Sequence, residues 1–254
     1  MAQTDGAPAE AREVGRALSA LLADEPALAA LLPDGYVERA ATYAGLLLDA
    51  NRRLNLTRVT NPVEVARLHL HDALAALPLL DSAAAFTAVD LGSGGGVPGI
   101  PLALARPDVQ WVLVDSVRKK ADVLASFAGA LGLANITVVA ERAELLGRAD
   151  DHRERHDLVA ARACAPLPVL AELALPLLAV GGTLVAWKGP LAAGDLELEH
   201  GNAAVSELGG GPPDLRLAGP AALGGHTLVV VHKERPTPSR YPRRPGEPSR
   251  RPLG

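Results

Sequence analysis

The segment Phe86 to Gly99, FTAVDLGSGGGVPG, leaves the chain little choice of fold. A short β-type run (Ala88, Val89, Leu91) carries one acid, Asp90, then breaks into Gly92, Gly94, Gly95 and Gly96, and the apolar segment Ile100 to Ala105 follows. This order reads as strand, tight loop and helix. Glycines let the main chain take positive φ and let a ligand approach N–H groups that no Cβ obstructs. The loop is therefore expected to bind a nucleotide-type ligand.

Two registers compete for that ligand. Gly94-x-Gly96-x-x-Gly99 satisfies the dinucleotide fingerprint, but it places the first glycine two residues into the loop and leaves Asp90 without a role. In the register Asp90-x-Gly92-x-Gly94-x-Gly96 the strand-end acid holds the loop or a ligand ammonium, and the glycines pass beneath a ribose and an amino-acid tail. That register resembles the S-adenosylmethionine (SAM) loop of class I methyltransferases. Gln110 to Asp115 reads as a second strand ending in an acid about twenty residues on, a position suited to ribose hydroxyls. Asp115 fits NAD and SAM alike, so it supports the βαβ unit rather than either ligand.

With 254 residues and 48% hydrophobic content, the chain is able to bury a full core in one domain with an appendage. The net charge of −4 means that any nucleic-acid footprint must be local. A single cysteine, Cys164, excludes a disulfide framework and a cysteine zinc site. No apolar run approaches the roughly 20 residues of a membrane span, and MAQTDGAPAEAREVG lacks a signal peptide's basic and apolar regions, so a cytoplasmic protein without membrane contact is expected.

Residues 1–80 read as a helical extension packed on a core at 81–234, with a basic tail at 235–254. Val14, Leu18, Leu21 and Leu22 keep a helical period, as do Val37, Ala40, Ala41, Ala44, Leu47 and Leu48, with Pro26 and Pro33 breaking the run between them. A further helix is expected with Asn61 as N-cap, Pro62 at its first position and Glu64 at its third, running toward His69 and Asp72. The polar segment Asn51 to Arg58 is either a solvated connector or a loop at the substrate mouth, where Asn55 and Arg58 would contact phosphate or base. His69 and His71, lacking a third ligand, suit hydrogen-bonded structural histidines better than a metal site.

From Thr87 strands and helices alternate, the pattern of a parallel sheet covered on both faces. A helix over Val117 to Leu131 opens with Arg118, Lys119 and Lys120, which oppose its dipole and face either an anionic partner or solvent. Beyond the strand Ile136 to Val139, Arg142 and Glu144 are candidates for the site rim. The strand Asp157 to Arg162 ends in an arginine that either reaches solvent or pairs with an anion. Cys164 reads as a small buried hydrophobe rather than a catalytic thiol, since no adjacent base activates it. A helix over Val169 to Leu178, a turn at Gly181-Gly182 and a strand Thr183 to Trp187 follow, with Lys188 projecting at the ligand edge. A helix near Asp195 to Leu208 and strands near Leu215 to Leu217 and His226 to His232 complete the sheet.

The last 20 residues hold six arginines, six prolines and one acid, Glu247. Proline at this density predicts an extended, mostly solvated segment with no helix. It is either a nucleic-acid arm, with Arg240, Arg243 and Arg244 on phosphate and Tyr241 as a stacking face, or a disordered solubilising tail.

The combination of NRRLNLTRVTNP, HLHDAL, VDLGSGGGVPGIPLA, VDSVRKKADVL, ERAELL, DLVAARACAPL, LVAWKG and TPSRYPRRPGEPSRRPL resembles the bacterial small-subunit ribosomal RNA methyltransferase RsmG (GidB) family from about Asn51 onward. The resemblance implies a class I SAM-dependent methyltransferase: a Rossmann-like, mostly parallel seven-stranded α/β sheet with a helical prefix. It implies methylation at N7 of a guanine in the decoding-region loop of 16S rRNA, presented as free rRNA, an assembly intermediate or the small subunit, by a monomer. By position, Gly92, Val97, Ala143, Glu144 and Arg162 would contact SAM, while Arg142 and Lys188 would act on the RNA. The chain departs from the family's usual pattern at Val97 (Phe), Ala73 (Ser) and Leu68 (Arg).

Guanine N7 carries a free lone pair, so attack on a methyl group needs no general base, and catalysis rests on in-line positioning. Rival readings are a small-molecule or protein methyltransferase, which has no use for the arginine tail, an NAD-dependent dehydrogenase, and a non-catalytic RNA-binding module.

Overall fold

The computed structural model describes residues 9–80, 86–191, 194–217 and 227–254. The chain opens with α1 (Ala9–Ala23), α2 (Pro26–Ala29) and α3 (Tyr36–Asn51). Val14, Leu18 and Leu22 of α1 are buried at four-residue spacing against α3, as an amphipathic stripe requires. Asn61 caps α4 (Pro62–Val65), its Oδ1 accepting from the N–H groups of Val63 (3.0 Å) and Glu64 (3.2 Å).

The helix after Asn61 is not the regular α-helix that the sequence predicts. It widens into a π-helical turn over Ala66–His71 and tightens into a 3₁₀ segment over Asp72–Leu79. Side chains from the sheet take up carbonyls along this stretch: Arg162 donates to Leu68 O and Trp187 Nε1 to Asp72 O at 3.0 Å. Such an irregular turn holds where outside donors replace the missing helical hydrogen bonds.

The sheet contains β1 (Thr87–Leu91), β2 (Gln110–Val114), β3 (Ile136–Val139), β4 (His156–Arg162), β5 (Leu178–Lys188), β6 (Asp214–Leu217) and β7 (Thr227–His232). Their spatial order is β3-β2-β1-β4-β5-β7-β6, parallel except for β7, which runs antiparallel to both neighbours. His226, expected in the last strand, lies outside the described residues.

Side chains alternate across the sheet with period two. Ala88, Leu158 and Val230 face a core shared with the helical prefix, α5 (Gly99–Ala105) and α6 (Arg118–Ala130). Val89, Val159 and Val231 face a second core built with α8 (Leu167–Ala174) and α9 (Leu196–Glu207). A single turn, α7 (Ala143–Leu146), follows β3. The prefix therefore shares one apolar core with the sheet.

Two expectations near β5 are corrected. Pro176 ends α8 early: a 3₁₀ turn over Leu175–Leu177 replaces the last turn of the expected helix. Gly181 and Gly182 do not turn the chain but lie inside β5, where the register to β4 slips between His156 and Leu158. A Cβ on Gly182 would stand 3.0 Å from Asp157 O, so the glycine answers a close approach of two backbones.

The C-terminal segment departs furthest from expectation. It is docked on the second core, and Glu247–Arg250 form a one-turn helix, α10. Tyr241 is buried, with its hydroxyl on Glu207 Oε1, so it offers no stacking face. Arg153 donates to Thr237 O (2.9 Å) and Tyr241 O (2.8 Å), while Glu154 binds Thr237 N (2.7 Å) and the buried Lys233 (2.8 Å). Prolines prevent the segment from pairing as a strand but leave its carbonyls open to these donors.

Candidate active site

The strand order reverses between β1 and β4, and in open α/β sheets ligands bind at the carboxyl ends of strands beside such a switch point. Gly92 leaves β1 there with φ +75°, where a Cβ would stand 3.0 Å from Cys164 Sγ. The loop is pinned to the sheet because the N–H groups of Gly92 and Ser93 both donate to Val114 O at 2.9 Å. Ser93 Oγ adds bonds to Asp90 O (2.8 Å) and from Val114 N (3.1 Å), and Tyr43 OH donates to Gly95 O (2.8 Å).

Asp90 is fully buried and holds the loop. Its Oδ2 accepts from Gly99 N at 3.0 Å, and Gly99 must be glycine because a Cβ would stand 2.6 Å from that oxygen and 2.4 Å from Leu113 Cδ2. Asp90 Oδ1 is buried without a partner, and burial pushes the carboxyl up to about 7. Asp115, expected on ribose hydroxyls, also ties main chain: Oδ2 accepts from Gly94 N (3.0 Å) and Oδ1 from Val117 N (2.8 Å). A carboxylate oxygen has two lone pairs, so each retains one acceptor site.

Two cavities meet at Gly92. The smaller, about 130 Å³, is bounded by Leu91, Ser116, Arg142, Ala143, Glu144 and Ser249. The larger, about 340 Å³, lies between the loop and the helical prefix, with Thr57, Arg58, His69, Val97, Lys120 and Arg162 in its walls. A separate groove of about 840 Å³ between α1 and α3 touches none of these residues. Gly92, Ala143 and Glu144 thus meet in one cavity, while Gly94, Val97 and Arg162 join Gly92 in the other. Gly96 lines neither: a Cβ there would stand 2.6 Å from Ile100 Cδ1 and 3.2 Å from Leu124 Cδ2.

The walls of the two cavities differ in charge. In the smaller one Glu144 is buried, and its Oε1 accepts from Arg142 Nη2 (2.8 Å) and Gly246 N (2.7 Å). Burial raises its pKa, but these donors outweigh burial and hold the carboxyl below its usual range. Around the larger one, Arg58 and Lys120, with the exposed Arg118 and Lys119 beside them, have no ion-pair partner among the described residues. Asn55 is exposed nearby in sequence. His69 Nε2 lies 2.7 Å from Thr57 Oγ1, and burial with the Arg162 charge pushes it down to about 4. His71 is buried with Nε2 3.1 Å from Glu25 Oε1.

The family described as rRNA small subunit methyltransferase G matches residues 36–209. Relatives of that name are 44% identical over 221 residues in Deinococcus radiodurans (85% of each chain) and 41% identical over 214 residues in Moorella thermoacetica (83% of this chain, 88% of the relative). The chain belongs to the rRNA small subunit methyltransferase G family. Among solved structures it is similar to the citrinin polyketide synthase CMeT domain (TM-score 0.55, 12% identity, 86% of this chain and 69% of that one). It is also similar to the S-adenosylmethionine-dependent methyltransferase SibL (TM-score 0.53, 16% identity, 78% and 70%). These neighbours establish the class I methyltransferase fold.

Several expected cations in this member of the methyltransferase G family are already partnered. Of the two alternatives for Arg162, solvent or an anionic partner, the structure shows the second: its Nη1 is 3.0 Å from Asp72 Oδ2 of the prefix. Lys188 does not project at the ligand edge, because Nζ donates to Ala165 O (2.6 Å) and pairs with Glu197 Oε1 (2.7 Å). Arg243 is not a free phosphate ligand. Its Nη2 is 2.5 Å from Glu172 Oε2, and Glu172 is fully buried. Arg240 pairs with Glu207 at 3.1 Å, whereas Arg244 is exposed and has no ion-pair partner among the described residues. For Lys188 and Arg243 the cause is the same: a cation with little exposed surface is neutralised by a carboxylate within reach.

Cys164 is exposed rather than buried, although packing around its sulfur and the charge of Asp90 push the thiol up to about 11, which disfavours a thiolate. Sequence reasoning missed Tyr43, Ser93, Asp72, Glu172, Glu197 and Ser249. Glu172 did carry a signal, as the single acid in the apolar run VLAELALPLL, where burial demands a partner.

Proposed function

We infer that this chain transfers the methyl group of SAM to N7 of a guanine in the decoding-region loop of 16S rRNA. The observation that carries the inference is the Asp90–Gly99 loop at the switch point, where a cavity walled by Glu144 and a cavity bordered by Arg58 and Lys120, which have no ion-pair partner among the described residues, meet at Gly92. The residues fit SAM. The unpartnered Asp90 Oδ1, the side-chain-free approach at Gly92 and the remaining acceptor sites on Asp115 suit a ligand that carries an ammonium and ribose hydroxyls.

When bound, SAM supplies an electrophilic methyl group on a sulfonium. The chain's own residues need only hold the two partners in line. Such orientation contributes about 7 to 11 kcal/mol, and no basic group is required for N7. Gly92, Ala143, Glu144 and Asp115 would hold the nucleoside portion, while Gly94, Val97 and Arg162 would border the methionine portion. Arg58, Lys120, Arg118 and Lys119 would take RNA phosphates, with Asn55 and Arg244 further out. The target guanine enters unpaired, as base-specific chemistry on RNA requires. His69 stays neutral at pH 7 and lends a hydrogen-bonding wall. Arg142 acts through Glu144. Lys188 acts through the turn after β4, where Ala163 holds the left-handed φ of +49° and the Ala165 carbonyl is fixed by Lys188. Both are positioning residues.

The test is methyl transfer from labelled SAM to small-subunit particles and to deproteinised 16S rRNA from a strain lacking this gene, with the modified position mapped by cleavage at N7-methylguanine. Label at one decoding-region guanine is expected. Tight SAM binding with no label on either RNA would shift the reading to a small-molecule or protein substrate.

A further inference from the structure

Ser249 lies far along the chain from the other walls of the smaller cavity, yet it lines that cavity together with Leu91, Gly92 and Glu144. Its position is secured from several sides. Arg243 grips Glu172 through Nε (2.9 Å) and Nη2 (2.5 Å) and adds its own N–H at 2.7 Å. Pro242 packs against Gly147, where a Cβ would stand 3.1 Å from its Cγ. The N–H of Gly246, which takes φ +80°, then reaches Glu144 Oε1. After that turn, α10 lies against α8. None of these contacts uses the Ser249 hydroxyl, which has no hydrogen-bond partner among the described residues although Ser249 lines the cavity.

We propose that residues 245–250 form a wall of the cofactor cavity and that the Ser249 hydroxyl contacts the nucleoside portion of SAM. The proposal rests on the SAM reading above. A hydroxyl both donates and accepts, which matches the ring nitrogens, exocyclic amine and ribose hydroxyls of an adenosine. Glu144 supplies the opposite, acceptor-only side and is the same carboxylate that anchors Gly246. Ordering of the segment and filling of the cavity are therefore coupled through one side chain, and linkage makes the coupling reciprocal.

The test uses the full-length chain, with calorimetric titration of SAM into the wild type, Ser249→Ala and Ser249→Trp, and amide hydrogen exchange with and without saturating SAM. An indole at 249 fills the cavity, so Ser249→Trp should weaken SAM about tenfold or more, while the melting temperature of the free protein stays unchanged because Ser249 is exposed. Ser249→Ala should weaken SAM by a smaller factor, and SAM should slow exchange at residues 245–250 of the wild type. Wild-type affinity in Ser249→Trp, or protection of residues 92–96 by SAM with none at 245–250, overturns the proposal. A wild type that binds no SAM at all overturns the cofactor reading and this proposal with it.

Discussion

The glycine loop and the C-terminal segment border the same cavity but are held there by different means. The loop is fixed mainly through its own main chain, by bonds within it (Asp90 on Gly99, Ser93 on Asp90) and by bonds to the end of β2 and to α3 (Ser93 on Val114, Asp115 on Gly94, Tyr43 on Gly95). The C-terminal segment is fixed almost wholly by groups far away in sequence: Glu172 for Arg243, Glu207 for Tyr241, Arg153 for the carbonyls of Thr237 and Tyr241. The loop should therefore respond to changes in shape and to pH, and the segment to the loss of single charges.

The largest expected effect tests the charge side of that contrast. Arg243→Ala strands the fully buried Glu172, and breaking a buried pair from one side costs about 3 to 5 kcal/mol. Chemical denaturation should show a stability loss of that size. A loss under 1 kcal/mol would mean that the segment is not held as described.

Next, Gly99→Ala tests shape. Its Cβ would meet Leu113 and Asp90, and overpacking of this kind costs about 1 to 3 kcal/mol, with a matching loss of SAM affinity by calorimetry. Retention of both would contradict the close approach.

pH separates the two regions further. The raised folded pKa of Asp90, about 7, means that between pH 4 and 7 the unfolded chain gives up this proton while the folded chain keeps it. The contribution of Asp90 to stability thus falls as pH rises through that window and is flat above it. His69 acts oppositely, since its folded pKa of about 4 favours the folded state increasingly as pH rises toward 6.5. Melting curves of wild type and Asp90→Asn should therefore show the variant gaining on the wild type from pH 4.5 to pH 7. A constant difference would place the Asp90 pKa outside the window.

The smallest effect belongs to Tyr241→Phe, which removes one hydrogen bond to the partly exposed Glu207 and should cost about 0.5 to 1.5 kcal/mol. Tyr241 and Arg240 hold the Glu207 carboxyl below its usual range. The Tyr241→Phe penalty should accordingly shrink as pH falls below the unfolded carboxylate pKa, near 4.5.

The sheet, the loop and the cap at Asn61 were legible because their causes are local. Period-two alternation with Val and Leu, glycine where φ is positive and an acid at a strand end are properties of adjacent residues. The SAM register, too, followed from where Asp90 sits relative to Gly92. The rim was less legible. Arg142 and Glu144 do border a cavity, but they face each other, and a two-residue spacing in a loop says nothing about that. The widened turn at Ala66–His71 was illegible, because its amphipathic pattern is helical and its deviation depends on Arg162 and Trp187 arriving from the sheet.

By itself the sequence determined the order of strands and helices, the glycine loop with its acid, and the family through motifs that run from Asn51 to the C-terminus. Only the tertiary structure decided which cations remain free. Arg162, Lys188 and Arg243 are joined to Asp72, Glu197 and Glu172, whereas Arg58 and Lys120 have no ion-pair partner among the described residues. The reason is physical: main-chain conformation is dictated by residues next to one another, but a buried charge is neutralised by whichever opposite charge the packing of distant elements brings within reach.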